Sequence, residues 1–230
     1  RFPQCTLQQL LHQEIDIPTG FLPLQHFSDY LQRGYYPFAD GDINQYIQQV
    51  VNATIETDIP QYADLSVATA RKLKRLLAII AQSAPFKPNM TQIGGQLEVS
   101  RNSIADLCVY LEKAGLIGQL RTATGGIQGL GKVDKIYLDN TPLIYTLGRQ
   151  DVEIGTVRET FFFNQTRSLC SVTTSPVSDF LIDGKYTFEV GGKKKRQRQL
   201  QSIENGYVVK DDIETGYGNI IPLWMFGMLY

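Results

Sequence analysis

Histidine, cysteine and tryptophan are scarce in this chain of 230 residues, at two, three and one. His12 and His26 stand at no zinc-like spacing from any cysteine, which argues against a structural zinc site. Cys5, Cys108 and Cys170 are odd in number and far apart, so they read as reduced thiols and point to a cytoplasmic protein. No uncharged apolar run approaches the roughly 18 residues of a membrane-spanning helix. No basic stretch leading into an apolar one opens the chain, so no secretory signal is visible. An initiator methionine is missing too. The chain begins at Arg1, as a processed protein or a piece of a longer one would. Disorder is excluded by composition, because a chain 43% hydrophobic and 20% charged has apolar surface enough to offset ordering entropy.

Net charge is only −1, but the balance is uneven. The run Lys193, Lys194, Lys195, Arg196, Gln197, Arg198 holds five of the 22 basic residues, leaving 17 against 23 acidic ones elsewhere. Such a knot either attracts phosphate or is the solvated start of a helix. Lys194, Lys195, Arg196 and Arg198 are therefore candidate nucleic-acid contacts.

Three segments follow along the chain, giving an α+β expectation. Residues 1–66 form a helical segment. Asp42 is placed to cap a helix in which Ile43, Tyr46, Ile47, Val50, Val51 and Ile55 share one face, ending near Pro60. The aromatic stretch Gly34-Tyr35-Tyr36-Pro37-Phe38 reads as core or as a docking face. Residues 67–148 form a winged helix-turn-helix. Leu73, Leu76, Leu77 and Ile80 mark one helix and Thr91–Leu97 a second. A third is capped by Ser100 and stopped by Gly115. Leu116–Leu120 and Lys132–Leu138 then flank a glycine-rich loop as a wing. Arg101 and Asn102, at the exposed start of the third helix, are candidate nucleic-acid contacts; packing against protein is the alternative use. Residues 149–230 form a small α/β domain. A helix over Gly155–Asn164 precedes strands at Val172–Asp183 and Tyr186–Val190, joined at Asp183-Gly184. A helix over Lys194–Asn205, a strand at Gly206–Val209 and an apolar tail from Ile220 to Tyr230 complete it. That tail must pack back on its domain or on a partner.

Gly126-Ile127-Gln128-Gly129-Leu130-Gly131-Lys132 has the spacing of a phosphate-binding loop. Val133 stands where the magnesium-binding hydroxyl belongs, and the residues after it favour a strand rather than the required helix. The stretch reads as the wing loop, and no nucleotide site of this chain's own is expected.

A second constellation is Glu159, Asp179 and Glu189 with Lys193 nearby. Asp179 and Glu189 are ten residues apart across a turn, so they can meet at one sheet edge. With Glu159 from the preceding helix they offer hard oxygen ligands for Mg2+ or Mn2+, and an ammonium beside them can stabilise charge on phosphate. The bland reading is a hairpin with polar ends.

This order, helix glutamate, strand aspartate, then Glu-x-Lys, resembles the PD-(D/E)-x-K nucleases. The chain as a whole resembles the C-terminal portion of a family of bacterial and archaeal AAA-type ATPases. In these a P-loop ATPase domain is followed by a winged helix and a nuclease-like domain. The likeness is carried by Phe27 through Phe38, Ser100 to Ile104, Leu111 to Ile117, Lys135 to Asn140, Arg158 to Phe162, Ser178 to Phe180, Phe188 to Lys193 and Ile221 to Trp224. The resemblance implies catalytic roles for Glu159, Asp179, Glu189 and a lysine, metal ligation by the three acids, and ATP bound only in an upstream domain. It further implies a regulatory or effector region acting on nucleic acid or a protein partner. Here Gly191 occupies the position of the motif's lysine, so the nuclease-like domain reads as degenerate; the alternative is an active metal-dependent nuclease in which Lys193 or Lys194 substitutes from the loop.

Overall fold

The computed structural model describes residues 5–15, 17–36, 41–85, 87–123, 131–148, 151–195, 200 and 202–229. Arg196 and Arg198, Pro37 and Phe38, and the glycine loop over 124–130 lie outside them. The architecture is mixed α and β, in line with the α+β expectation. In chain order the helices α1 (Leu7–Leu11), α2 (Pro23–Arg33) and α3 (Ile43–Ala53) come first. A π-helical turn (Thr54–Asp58) leads into α4 (Ile59–Ala63), followed by α5 (Val67–Ser83), α6 (Met90–Leu97) and α7 (Arg101–Lys113). Strands β1 (Ile117–Arg121) and β2 (Val133–Leu138) precede α8 (Thr141–Leu147) and α9 (Ile154–Arg167). The remainder is β3 (Val172–Thr174), β4 (Phe180–Ile182), β5 (Tyr186–Gly191), β6 (Gly206–Lys210), β7 (Ile220–Pro222) and a 3-10 helix (Leu223–Met228).

Packing divides the chain into two units that interleave along the sequence. Unit 1 comprises Arg1–Leu31, Leu120–Lys132 and Ile154–Tyr230; unit 2 comprises Gln32–Gln119 and Val133–Glu153. The helical segment 1–66 and the segment 67–148 are thus each shared between the two.

In unit 2 the local signals act as expected. The Asp42 carboxylate accepts the amides of Asn44 and Gln45, Ser66 Oγ that of Thr69, and Ser100 Oγ that of Ser103. The apolar faces of α5 and α7 are buried at Leu73, Leu76, Leu77, Ile80, Ile104, Leu107 and Leu111. The helix expected to stop before Pro60 instead continues to Ala63. Proline removes a donor and clashes with the carbonyl four residues back, and the wider π turn over Thr54–Asp58 makes room for it. The stop falls at Asp64, in the left-handed conformation with φ 50°. Two segments far apart in sequence meet in one polar network. Tyr35 Oη donates to Asp139 Oδ2 at 3.2 Å, and Asn140 Nδ2 donates to Tyr36 Oη at 3.0 Å. Asn140 Oδ1 also accepts the Leu143 amide, capping α8. Gly34 sits at φ +64°, and a Cβ there would lie 2.7 Å from Pro142 Cγ, so the approach of these segments requires glycine.

Unit 1 is built on the order β3-β4-β5-β6-β7. β3, β4 and β5 run antiparallel as a meander; β6 joins β5 and β7 joins β6 in parallel. The single strand expected over Val172–Asp183 is two, β3 and β4, separated by Ser175 to Asp179. Pro176 cannot donate to a ladder. Helix α9 lies against this sheet. Phe162 packs on Phe180, Phe188 and Phe226 at 5.0, 5.2 and 4.7 Å between ring centres, while Phe161 meets Phe27 at 4.8 Å. The apolar tail packs back within this unit, with Leu223, Trp224, Met225, Phe226 and Met228 all buried. The helix expected over Lys194–Asn205 is absent among its described residues, which lie in turns closed by Lys195 N to Gly192 O and Ile203 N to Leu200 O.

Candidate functional site

The end of the β4–β5 ladder fixes two of the three acids. Phe180 stands opposite Phe188, and continuing that register sets Asp179 opposite Glu189. Facing residues in an antiparallel pair project from the same side of the sheet, and like charges so placed repel. Two things offset the repulsion. Asp179 Oδ2 accepts the Val190 amide at 2.8 Å. Glu189, only 5% exposed, has both oxygens engaged: Oε2 accepts Ser178 Oγ at 2.5 Å and Oε1 meets Lys195 Nζ at 2.5 Å. Ser178 Oγ also contacts the Phe188 carbonyl at 2.8 Å, which holds it to the ladder.

The ammonium arrives by an unexpected route. After β5 the chain turns at Gly192, whose carbonyl accepts the Lys195 amide at 2.8 Å. The Lys195 stem then folds back over Gly191. A Cβ on Gly191 would lie 2.7 to 2.9 Å from the Cδ, Cγ and Cβ of Lys195. Burial depresses the Lys195 ammonium, but the hydrogen bond to Glu189 and the charges of Glu189, Asp179 and Glu159 together raise it above the ordinary lysine value.

Lys193 and Lys194 lie exposed in the turn. The lysine that meets Glu189 is Lys195 rather than Lys193, so this member of the basic run lies against a carboxylate. Among the described residues no three His, Cys, Asp or Glu side chains stand close enough to hold a metal ion. Carboxylate oxygens are hard ligands of the kind Mg2+ or Mn2+ takes, but these three are not gathered around one point.

A second pair buttresses this corner. Arg158, next to Glu159 on α9, places Nε 2.8 Å from Asp211 Oδ2, and both side chains are largely buried. A Cβ on Gly192 would lie 3.0 Å from the Arg158 guanidinium, and the Asp211 amide donates to the Gly191 carbonyl at 2.9 Å. Arg158 and Asp211 thus fix the Gly191-Gly192 backbone over which Lys195 lies. Only the placement of Arg158 beside Glu159 hinted at this.

In unit 2, Arg101 and Asn102 are exposed on the first turn of α7. Tyr110 and Lys113 line a cleft of about 470 Å3 together with Asp58 and Tyr62, and the Lys113 ammonium lies 5.8 Å from the Tyr62 ring centre. Val133 begins a strand, as its sequence predicts. No helix among the described residues is long and apolar enough to cross a membrane.

Comparison with known proteins places residues 24–153 in one family, and the chain belongs to it: Domain of unknown function (DUF8612). That match covers all of unit 2 and ends before α9, so the acid cluster lies outside it. No curated protein and no solved structure matches the chain.

Proposed function

We propose that α9 and the strands of unit 1 form a PD-(D/E)-x-K nuclease-like module that hydrolyses phosphodiester bonds with Mg2+ or Mn2+, its lysine supplied by Lys195. The observation that carries this reading is the Lys195 stem over Gly191, with its ammonium on Glu189. The motif's lysine is absent from position 191, but an ammonium reaches the acids from four residues further on.

In this reading Glu159, Asp179 and Glu189 would have to draw closer together to become the metal ligands. The bound cation would supply Lewis-acid polarisation of the phosphoryl group and a more acidic water. Asp179 and Glu189 hold their places because the sheet ladder and the Ser178 hydroxyl fix them. Lys195 donates to the charge that develops on phosphate. The glycines at 191 and 192 leave the backbone uncovered except by Lys195 and Arg158. The order of α5, α6, α7, β1 and β2 supports a winged helix-turn-helix, with Arg101 and Asn102 available to phosphate or base edges. Within the wider resemblance the chain would be the effector end of a cytoplasmic AAA-type ATPase, acting on nucleic acid or a protein partner.

The test is incubation of the full chain with MgCl2 or MnCl2 and plasmid, single-stranded DNA or RNA. Metal-dependent cleavage lost in Glu189→Ala and Lys195→Ala and retained in Lys193→Ala is expected. No cleavage of any substrate, or cleavage that survives Glu189→Ala, removes the proposal.

A further inference from the structure

The cleft of unit 2 stands apart from the acids of the β4–β5 edge. At about 470 Å3 it has the size of a small-molecule pocket, for which about 300–1,000 Å3 is usual. It lies wholly within the matched family domain. Ile59, which is buried, and Ala114, which is half-buried, give it apolar surface. Two aromatic rings line it: Tyr110 is half-buried on α7, and Tyr62 on α4 is 73% exposed and so open to a ligand.

Two opposite charges share this lining without neutralising each other. Asp58 closes the π-helical turn, and Lys113 ends α7. Among the described residues neither makes an ion pair, with the other or with a third group. Glu56, two residues before Asp58, is by contrast paired with Lys74. Lys113 is held in other ways. The last turn of a helix favours a cation, and the ammonium lies 5.8 Å from the centre of the Tyr62 ring. Both charged residues sit on helical backbone, which fixes a site better than a loop does. A ligand charged with one sign alone would meet one of these groups as a like charge. A ligand carrying both signs matches both.

We infer that this cleft binds a free amino acid with a flat apolar side chain. Its carboxylate pairs with Lys113, its ammonium pairs with Asp58, and its side chain packs on Tyr62, Tyr110 and Ile59. The two charge-assisted contacts orient the ligand, and the rings supply contact area. This does not rest on the nuclease reading, which concerns unit 1.

Titration calorimetry on the full chain tests it with L-tryptophan, tryptamine, indole-3-acetate and AMP. L-tryptophan is expected to bind, and tryptamine and indole-3-acetate about tenfold more weakly, because each lacks one ionic contact. The two variants should sort the ligands by charge. Lys113→Met should weaken L-tryptophan about tenfold and leave tryptamine no weaker than before. Asp58→Asn should weaken L-tryptophan similarly and leave indole-3-acetate no weaker than before. Both side chains are exposed, so both variants should keep the wild-type unfolding midpoint closely. No binding of L-tryptophan, binding that survives both substitutions, or a singly charged analogue bound as tightly as L-tryptophan overturns the inference. AMP bound more tightly than L-tryptophan also overturns it, because the cleft would then be a nucleotide site.

Discussion

The side chain of Lys195 fills the volume that a side chain at Gly191 would need, with three of its carbons within 2.9 Å of where that Cβ would stand. One position lacks a side chain and another, four residues on, supplies it in the same place. The two residues are therefore coupled, and neither can be changed without regard to the other.

Exchanging the two residues tests this coupling. On the proposed nuclease reading, Lys195→Ala alone should lower the cleavage rate about 100-fold, the usual cost of removing one preorganised charge donor. Gly191→Ala should act in the same direction, because the added methyl pushes the Lys195 stem off its path. The double change Gly191→Lys with Lys195→Gly returns an ammonium to the motif position and clears the space above it. Recovery of at least about tenfold over Lys195→Ala is expected in a steady-state assay with MnCl2. A double variant no better than Lys195→Ala would show that the two positions do not share one function.

Lys195 also has a signature in alkali. Its ammonium is raised above the ordinary lysine value in the folded chain, so pairing with Glu189 stabilises the fold at every pH below that ordinary value. The contribution then disappears as the pH climbs through the raised one. With its side chain 38% exposed, solvent screening keeps the contribution under about 1 kcal/mol. Urea unfolding of the wild type and Lys195→Met should differ by a constant small amount through neutral pH and converge in strong alkali. A difference that grows with pH would contradict the pairing.

Much of this site is legible in the sequence, and the rest is hidden for physical reasons. Asp179 and Glu189 can be paired from the tight turn at Asp183-Gly184, because strand register is set locally. Glu159 follows from helical spacing. Lys195 does not, since its reach depends on the turn at Gly192 and on how a long stem folds back, which neither period nor propensity encodes. Charge runs most often face solvent, and the two lysines just before it do. Arg158 and Asp211 are 53 residues apart and meet only through the parallel addition of β6 to β5. The helix caps at Asp42 and Ser100 are local chemistry and are read directly. The interleaved units are not, because Leu120–Lys132 joins unit 1 through long-range contacts such as the pairing of Arg121 with Thr173.

Removing one partner of the Arg158–Asp211 pair should be costly. Their side chains are 15% and 9% exposed, so Arg158→Met leaves a nearly buried carboxylate without its guanidinium. A loss of about 3 kcal/mol is expected in thermal or urea unfolding. The double variant Arg158→Met with Asp211→Leu removes both charges and should recover a large part of that loss. If the single and double variants lose the same stability, the pair is not the source of the effect.

Asn140 joins three functions of unit 2 in one side chain that is 4% exposed. Its Oδ1 caps α8 through the Leu143 amide, and the two hydrogens of its Nδ2 are shared among Tyr36 Oη, Tyr35 Oη and Asp139 Oδ2. Asn140→Ala removes the cap, worth about 1 kcal/mol, and takes a donor from the buried Asp139 carboxylate, worth about 1–3 kcal/mol more. Asn140→Asp keeps the capping oxygen but sets a second carboxylate beside Asp139. Both variants should therefore unfold at lower urea concentration at neutral pH, and acid should narrow the deficit of Asn140→Asp as its added carboxylate is protonated, while leaving that of Asn140→Ala in place. Chemical denaturation at neutral and mildly acidic pH separates the two, and parallel losses in both variants at every pH would mean that the network acts through shape alone.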